Sequence, residues 1–133
     1  MSGLGRLIGI PWAEGGRDET GCDCWGLLCM AFARLHDIEL PAYDGRPVAG
    51  LPLARLVVAE QESWLQVAPG LERPGDVVCF RGLPPHVGLV IGRGRMLHVA
   101  RGQRSCWSGY HSPEWAPRLQ GFYRHPLLAE TRA

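Results

Sequence analysis

Asp23-Cys24-Trp25-Gly26-Leu27-Leu28-Cys29-Met30-Ala31-Phe32-Ala33-Arg34-Leu35-His36 is the stretch that decides the fold. From Cys24 onward, Leu28, Ala31, Phe32 and Leu35 recur at the spacing of one helix face, with Arg34 on the opposite side. Asp23 is a favoured N-cap immediately before this run, and Pro41 stops it. Upstream, residues 1–23 are Gly-rich and end in a polar turn from Gly15 to Gly21. Downstream, Tyr43 to Pro52 reads as a Gly- and Pro-rich loop. Leu53 to Trp64 predicts a second amphipathic helix with Glu60, Gln61 and Glu62 on its exposed flank. After Gly70 the pattern changes: Asp76–Phe80, Val87–Ile91, Met96–Ala100 and a weaker Leu119–Tyr123 read as short strands between Gly and Pro punctuation. Helices first and strands afterwards is the α+β arrangement, N-terminal helices packed on an antiparallel β-sheet. With 133 residues, no repeat and no low-complexity tract, the expectation is one domain over 1–133.

Composition narrows the function classes. The net charge is +1 and no block of like charge occurs, which argues against a nucleic-acid groove or an anionic membrane surface. No run approaches the ~18 apolar residues of a membrane span. All fourteen basic residues are Arg; Lys and Asn are absent, which excludes lysine-based catalysis and a Cys-His-Asn site. Five cysteines fit no complete disulfide framework. Met1 to Ala13 carries neither a basic n-region nor an apolar h-region of leader length, so no signal peptide is read there. The expectation is a protein folded in the reducing cytoplasm with free thiols.

Among the thiols, Cys24 is singled out by position. One residue past the N-cap, it lies where unpaired backbone N–H groups and the positive end of the helix dipole favour an anion. A thiolate there has a lowered pKa and is reactive. Cys24 also shares the inward stripe with Leu28, four residues on. Cys29 falls mid-helix, Cys79 reads as sheet packing, Cys106 lies in a late loop or strand beside Trp107, and Cys22 precedes the helix.

A cysteine nucleophile needs a base, and two of five histidines qualify. His36 reads as a helix C-terminal cap, while His111 and His125 fall in Pro-flanked loops. His86 opens one strand and His98 lies inside the next. Alternation puts His86, Gly88 and Val90 on one face of their strand and Met96, His98 and Ala100 on one face of theirs. If Gly92-Arg93-Gly94 forms a three-residue hairpin loop with Gly94 left-handed, His98 lies opposite Gly88 and diagonal to His86. A two-residue loop, Arg93-Gly94, would instead put His98 opposite Leu89, so the catalytic reading demands an odd loop or a bulge. Gly88, between the two imidazoles, has no side chain to obstruct a thiolate or substrate. The roles follow triad logic: Cys24 attacks a carbonyl, His86 takes and returns the proton, and His98 orients His86.

These residues fall into ordered blocks: Gly9-Ile10-Pro11-Trp12 with Gly15-Gly16, Asp23-Cys24-Trp25-Gly26-Leu27, Arg73-Pro74-Gly75-Asp76-Val77-Val78, His86-Val87-Gly88-Leu89-Val90-Ile91-Gly92 and Met96-Leu97-His98-Val99. Together they resemble the NlpC/P60 peptidases, a papain-like fold. The resemblance implies a cysteine peptidase that hydrolyses peptide stems of bacterial peptidoglycan at a bond following D-glutamate and next to a diamino acid, without a metal or other cofactor. It implies an oxyanion site using the backbone N–H of Cys24, with Trp12 where many members carry Tyr and its indole N–H in place of the phenol. Trp25 stands where many members carry Ser, and Asp23 is implied as a holder of the substrate's amine. The Trp at position 12, the missing leader and the bare domain resemble the branch encoded with phage tail genes. That branch implies tail tip or hub proteins as partners and a location that is cytoplasmic during assembly and then in the virion tail.

Three other readings compete. Cys22, Cys24, His86 and His98 are donors of a Cys2His2 metal shell, although C-x-C with H-x11-H departs from the usual finger spacings. A structural tail-assembly component with an idle site would carry nearly the same sequence; the joint presence of Cys24, His86 and His98 argues for activity. Acyl transfer through a thioester on Cys24 is a third, weakened by the lack of an apolar lipid-binding tail.

Overall fold

Pro74-Gly75-Asp76 opens the central strand, and the reason is visible in a computed structural model that describes residues 5–41, 63–82 and 85–131. Gly75 turns the chain at φ 101°, a left-handed backbone that favours glycine. Asp76 then lies 1% exposed. Its two oxygens accept from Nε and Nη2 of Arg124, each at 2.8 Å, and one also accepts from the backbone N–H of Arg73 at 2.9 Å. The pair ties the start of one strand to the end of another.

The strands are β1 (Arg17–Asp18), β2 (Gly21–Cys22), β3 (Leu65–Val67), β4 (Val77–Phe80), β5 (His86–Gly92), β6 (Arg95–His98), β7 (Cys106–Gly109) and β8 (Leu119–Arg124). The helices are α1 (Cys24–His36) and α2 (Pro126–Thr131), with a 3-10 turn at Ala116–Arg118. β1 and β2 form a small hairpin, and the other six make a sheet in the order β3-β8-β4-β5-β6-β7. In the β4–β5 ladder Val78 pairs with Gly88 and Phe80 with His86; on the other side of β4, Val78 pairs with Phe122. The fold class is α+β, as the run of helical and then strand-like segments predicts. The expected helix at Leu53 to Trp64 lies, apart from its last two residues, outside the described residues.

By backbone proximity the chain forms two compact units, Met1–Val48 with Leu97–Ser108, and Ala49–Met96 with Gly109–Ala133. The second has a core of Val67, Val78, Phe80, Val90, Met96, Tyr110, Trp115 and Phe122. Only Arg93 and Gly94 separate the ends of β5 and β6, with Gly94 left-handed at φ 72°; this is the two-residue connection and not the expected three-residue loop, so the loop does not supply the odd spacing on which the diagonal placement of His98 and His86 is argued. Val90 and Met96 both enter the core cluster of the second unit.

In the first unit, buried Ser105 anchors the N-terminal segment. Its hydroxyl donates to the Leu7 carbonyl at 2.6 Å and accepts from the Ile10 N–H at 2.8 Å. Glycines allow the turn before α1 to lie on its first turn: a Cβ on Gly26 would meet the Gly16 carbonyl oxygen, and one on Gly16 the Gly21 carbonyl oxygen. α1 ends at Asp37, whose left-handed backbone (φ 55°) directs its N–H to the Phe32 carbonyl. The C-cap is thus Asp37; His36, expected in that role, packs edge-on against Phe32.

Breaking a buried ion pair strands a charge and costs about 3–5 kcal/mol, whereas replacing both partners with apolar residues is close to neutral. Asp76→Ala is expected to destabilise the protein by about 3 kcal/mol or more in urea unfolding. The double change Asp76→Leu with Arg124→Met should recover most of that loss.

Candidate active site

Asp23 is the N-cap of α1, as its place before the apolar run predicts. One oxygen accepts from the Gly26 N–H and from Nη1 of Arg17, both at 2.8 Å. The other accepts from the Gly15 N–H at 2.9 Å. The carboxylate is 3% exposed and fully engaged within the protein, so binding a substrate amine would require giving up one of these bonds. Cys24 is the first residue of α1 and is buried at 6% exposure. Its sulfur therefore belongs to the first turn, where the helix dipole stabilises a thiolate.

The rival thiol Cys22 is fully buried, and burial pushes its pKa up to about 12, with the neighbouring Asp23 charge adding to the rise. It stays protonated. Trp25 is also buried, and its indole N–H donates to the Pro41 carbonyl at 2.8 Å, so this side chain packs the protein instead of facing a ligand. Trp12 is half-buried; its backbone N–H donates to the Gln103 carbonyl at 2.9 Å, and the Arg101 guanidinium lies 5.0 Å from its ring centroid.

His86, the first residue of β5, is 8% exposed. Its imidazole stacks on the Trp115 indole with centroids 4.7 Å apart and planes 19° from parallel, and it touches Phe80 at 5.8 Å. Gly88, two residues on, is buried in the β4–β5 ladder. His98 is the last residue of β6 and 3% exposed. Its Nε2 lies 2.8 Å from Ser108 Oγ and 3.9 Å from Cys106 Sγ on β7. Burial pushes its pKa down to about 4, so the ring is neutral at pH 7. When Nε2–H donates to Ser108, Nδ1 is left as an acceptor, which is what a residue orienting a second imidazole requires. Ser108 and Trp115 were invisible to the sequence reading: each sits in a short, aperiodic segment between Gly and Pro. Cys106 is brought beside His98 by the β6–β7 pairing, a proximity that spacing alone does not reveal. Among the described residues no three His, Cys, Asp or Glu side chains are grouped so as to hold a metal ion.

An α+β domain whose first long helix begins at a capped cysteine, followed by strands carrying two buried histidines, defines the class. The chain belongs to the NlpC/P60 family, whose model matches residues 9–124. It is 32% identical over 96 residues to a probable endopeptidase of Mycobacterium bovis, covering 68% of this chain and 20% of that protein. It is 29% identical over 125 residues to the bifunctional muramidase/DL-endopeptidase CwlT of Bacillus subtilis, covering 90% of this chain and 33% of that protein. The chain thus spans a fifth to a third of these relatives. Among solved structures, a lipoprotein-like NLP/P60 family protein of Staphylococcus aureus superposes with a TM-score of 0.70 at 21% identity, covering 93% of this chain and 39% of that one; at this identity it speaks for the fold.

The neutral state of His98 has a pH consequence. Its folded pKa lies below the ordinary histidine value, so between pH 6.5 and about 4 the unfolded chain binds a proton that the folded one refuses. Stability from this residue is full above pH 6.5 and falls by roughly 3 kcal/mol as pH drops towards 4. Chemical unfolding across this range should show that slope in wild type and lose it in His98→Phe.

Proposed function

We propose that this chain is a cysteine peptidase acting on the peptide stems of bacterial peptidoglycan, with Cys24 as nucleophile, His86 as general base and His98 as the residue that orients His86. The observation that carries the reading is the placement of Cys24 as the first residue of a helix capped by Asp23, in a chain of the NlpC/P60 family. Relatives named as endopeptidases support the reaction class, and CwlT, named a DL-endopeptidase, supports a bond between D- and L-residues.

In this scheme the Cys24 thiolate adds to the scissile carbonyl carbon, and the developing oxyanion is held by the Cys24 backbone N–H with the Trp12 indole N–H as a second donor. Protonated His86 gives its proton to the leaving amine, the C–N bond breaks, and a thioester remains on Cys24. His86 then takes a proton from water, whose oxygen attacks the thioester; the product carboxylate leaves and the thiolate is restored. Gly88, beside His86 on its strand, keeps this face clear for the substrate. The bond we assign follows D-glutamate and precedes a diamino acid. The setting we assign is a phage or phage-like tail, with tail tip or hub proteins as partners; the indole at position 12 is the feature that favours it.

Defined muropeptides should be digested with wild type and with Cys24→Ala, and the products identified by mass. Wild type is expected to release fragments cut on the carboxyl side of D-glutamate, and Cys24→Ala to lose cleavage by at least about 10³-fold. Cleavage by Cys24→Ala at the wild-type rate overturns the assignment of the nucleophile.

A further inference from the structure

The main chain of Trp115 is fixed on both sides. Its backbone N–H donates to the Ser112 carbonyl at 3.1 Å, and its backbone carbonyl accepts from the Arg118 N–H at 3.0 Å. The turn that follows is fastened to the end of β4: the Arg81 N–H donates to the Arg118 carbonyl at 2.7 Å, and Arg118 Nε donates to the Arg81 carbonyl at 2.8 Å. Trp115 is 6% exposed, and its ring packs against Phe80, at 5.1 Å and 53°, and against His86, at 4.7 Å and 19°, with Phe80 and His86 also in contact at 5.8 Å. The stack is therefore in place before any ligand arrives.

We propose that Trp115 is a positioning residue for His86: the indole face sets the plane of the imidazole and favours its charged form at the moment it holds the transferred proton. This rests on the assignment of His86 as the base. A ring lying nearly parallel on an indole cannot turn about its Cβ–Cγ bond without driving an edge into that indole. Both nitrogens consequently stay in the plane parallel to the stack, directed to the rim and not into the indole. A buried imidazole resists charging because it has lost water, and the electron-rich indole face replaces part of that lost stabilisation. Two charged groups among the described residues stand at the stack. Arg118 places its guanidinium 5.2 Å from the Trp115 centroid, where it draws on the same π density, and Arg81 stands beside it at the end of β4. β4 itself presents Phe80.

The test uses the full chain with Trp115→Leu, Trp115→Phe and Arg118→Gln, reading the His86 titration by NMR alongside kcat and KM on a muropeptide. Trp115→Leu is expected to lower the His86 pKa by about one unit and kcat by about tenfold with KM nearly unchanged. Trp115→Phe should recover more than half of both effects, and Arg118→Gln, which leaves the indole in place, should raise the His86 pKa. If Trp115→Leu does not fold, the opposite shifts in the other two variants decide the matter. Identical His86 titration in all folded variants overturns the proposal. The NMR readout needs no turnover, so a wild type inactive on every stem peptide would count against the peptidase reading while leaving the stack independently testable.

Discussion

The carboxylate of Asp23 is the fixed point of the first unit. It satisfies the N–H of Gly26 in the first turn of α1, accepts the N–H of Gly15 from the preceding turn, and is matched by the charge of Arg17. A cap alone contributes about 1 kcal/mol; here it also decides where the helix begins, and hence which residue occupies its first position. The approach of Gly16, Gly21 and Gly26, too close for any side chain, is the steric counterpart of the same constraint. Because the helix starts after Asp23, Cys24 receives the dipole and Cys22, two residues earlier, is left a buried thiol that resists ionisation.

The two histidines assigned to the reaction are held by different devices. His98 is deprived of water and given a hydroxyl partner, which keeps it neutral and favours one tautomer. His86 is deprived of water too, but is given an aromatic face, which tolerates a positive charge. One imidazole suited to staying neutral and one suited to becoming charged is the division of labour that a base and its orienting partner need.

Much of this was legible in the sequence because it rests on local rules. The start of α1 follows from a capping residue and a helical stripe, and β4, β5, β6 and β8 appear within one or two residues of their alternating apolar runs. What was not legible depends on distant pairing. β3 has two exposed residues out of three and no strand-like pattern of its own; it is a strand because β8 offers it a partner. The hairpin of β1 and β2 reads as a polar turn. Ser108 and Trp115 carry no periodic signal, and their partners lie ten and twenty-nine residues away in sequence. Trp25, known from the sequence only as a motif position, donates its indole N–H to the Pro41 carbonyl, a partner sixteen residues away that spacing does not reveal.

The central claim is that the start of α1 makes Cys24 the ionised thiol of this chain. Trace alkylation with iodoacetamide across pH 5 to 9, with each of the five cysteines quantified by peptide mass, tests it most directly. The account requires Cys24 to be modified first, at a rate that levels off below the ordinary thiol pKa of about 8.5, with Cys22 inert throughout. Preferential modification of Cys106 or Cys29, with Cys24 reacting only as an ordinary thiol, would contradict it.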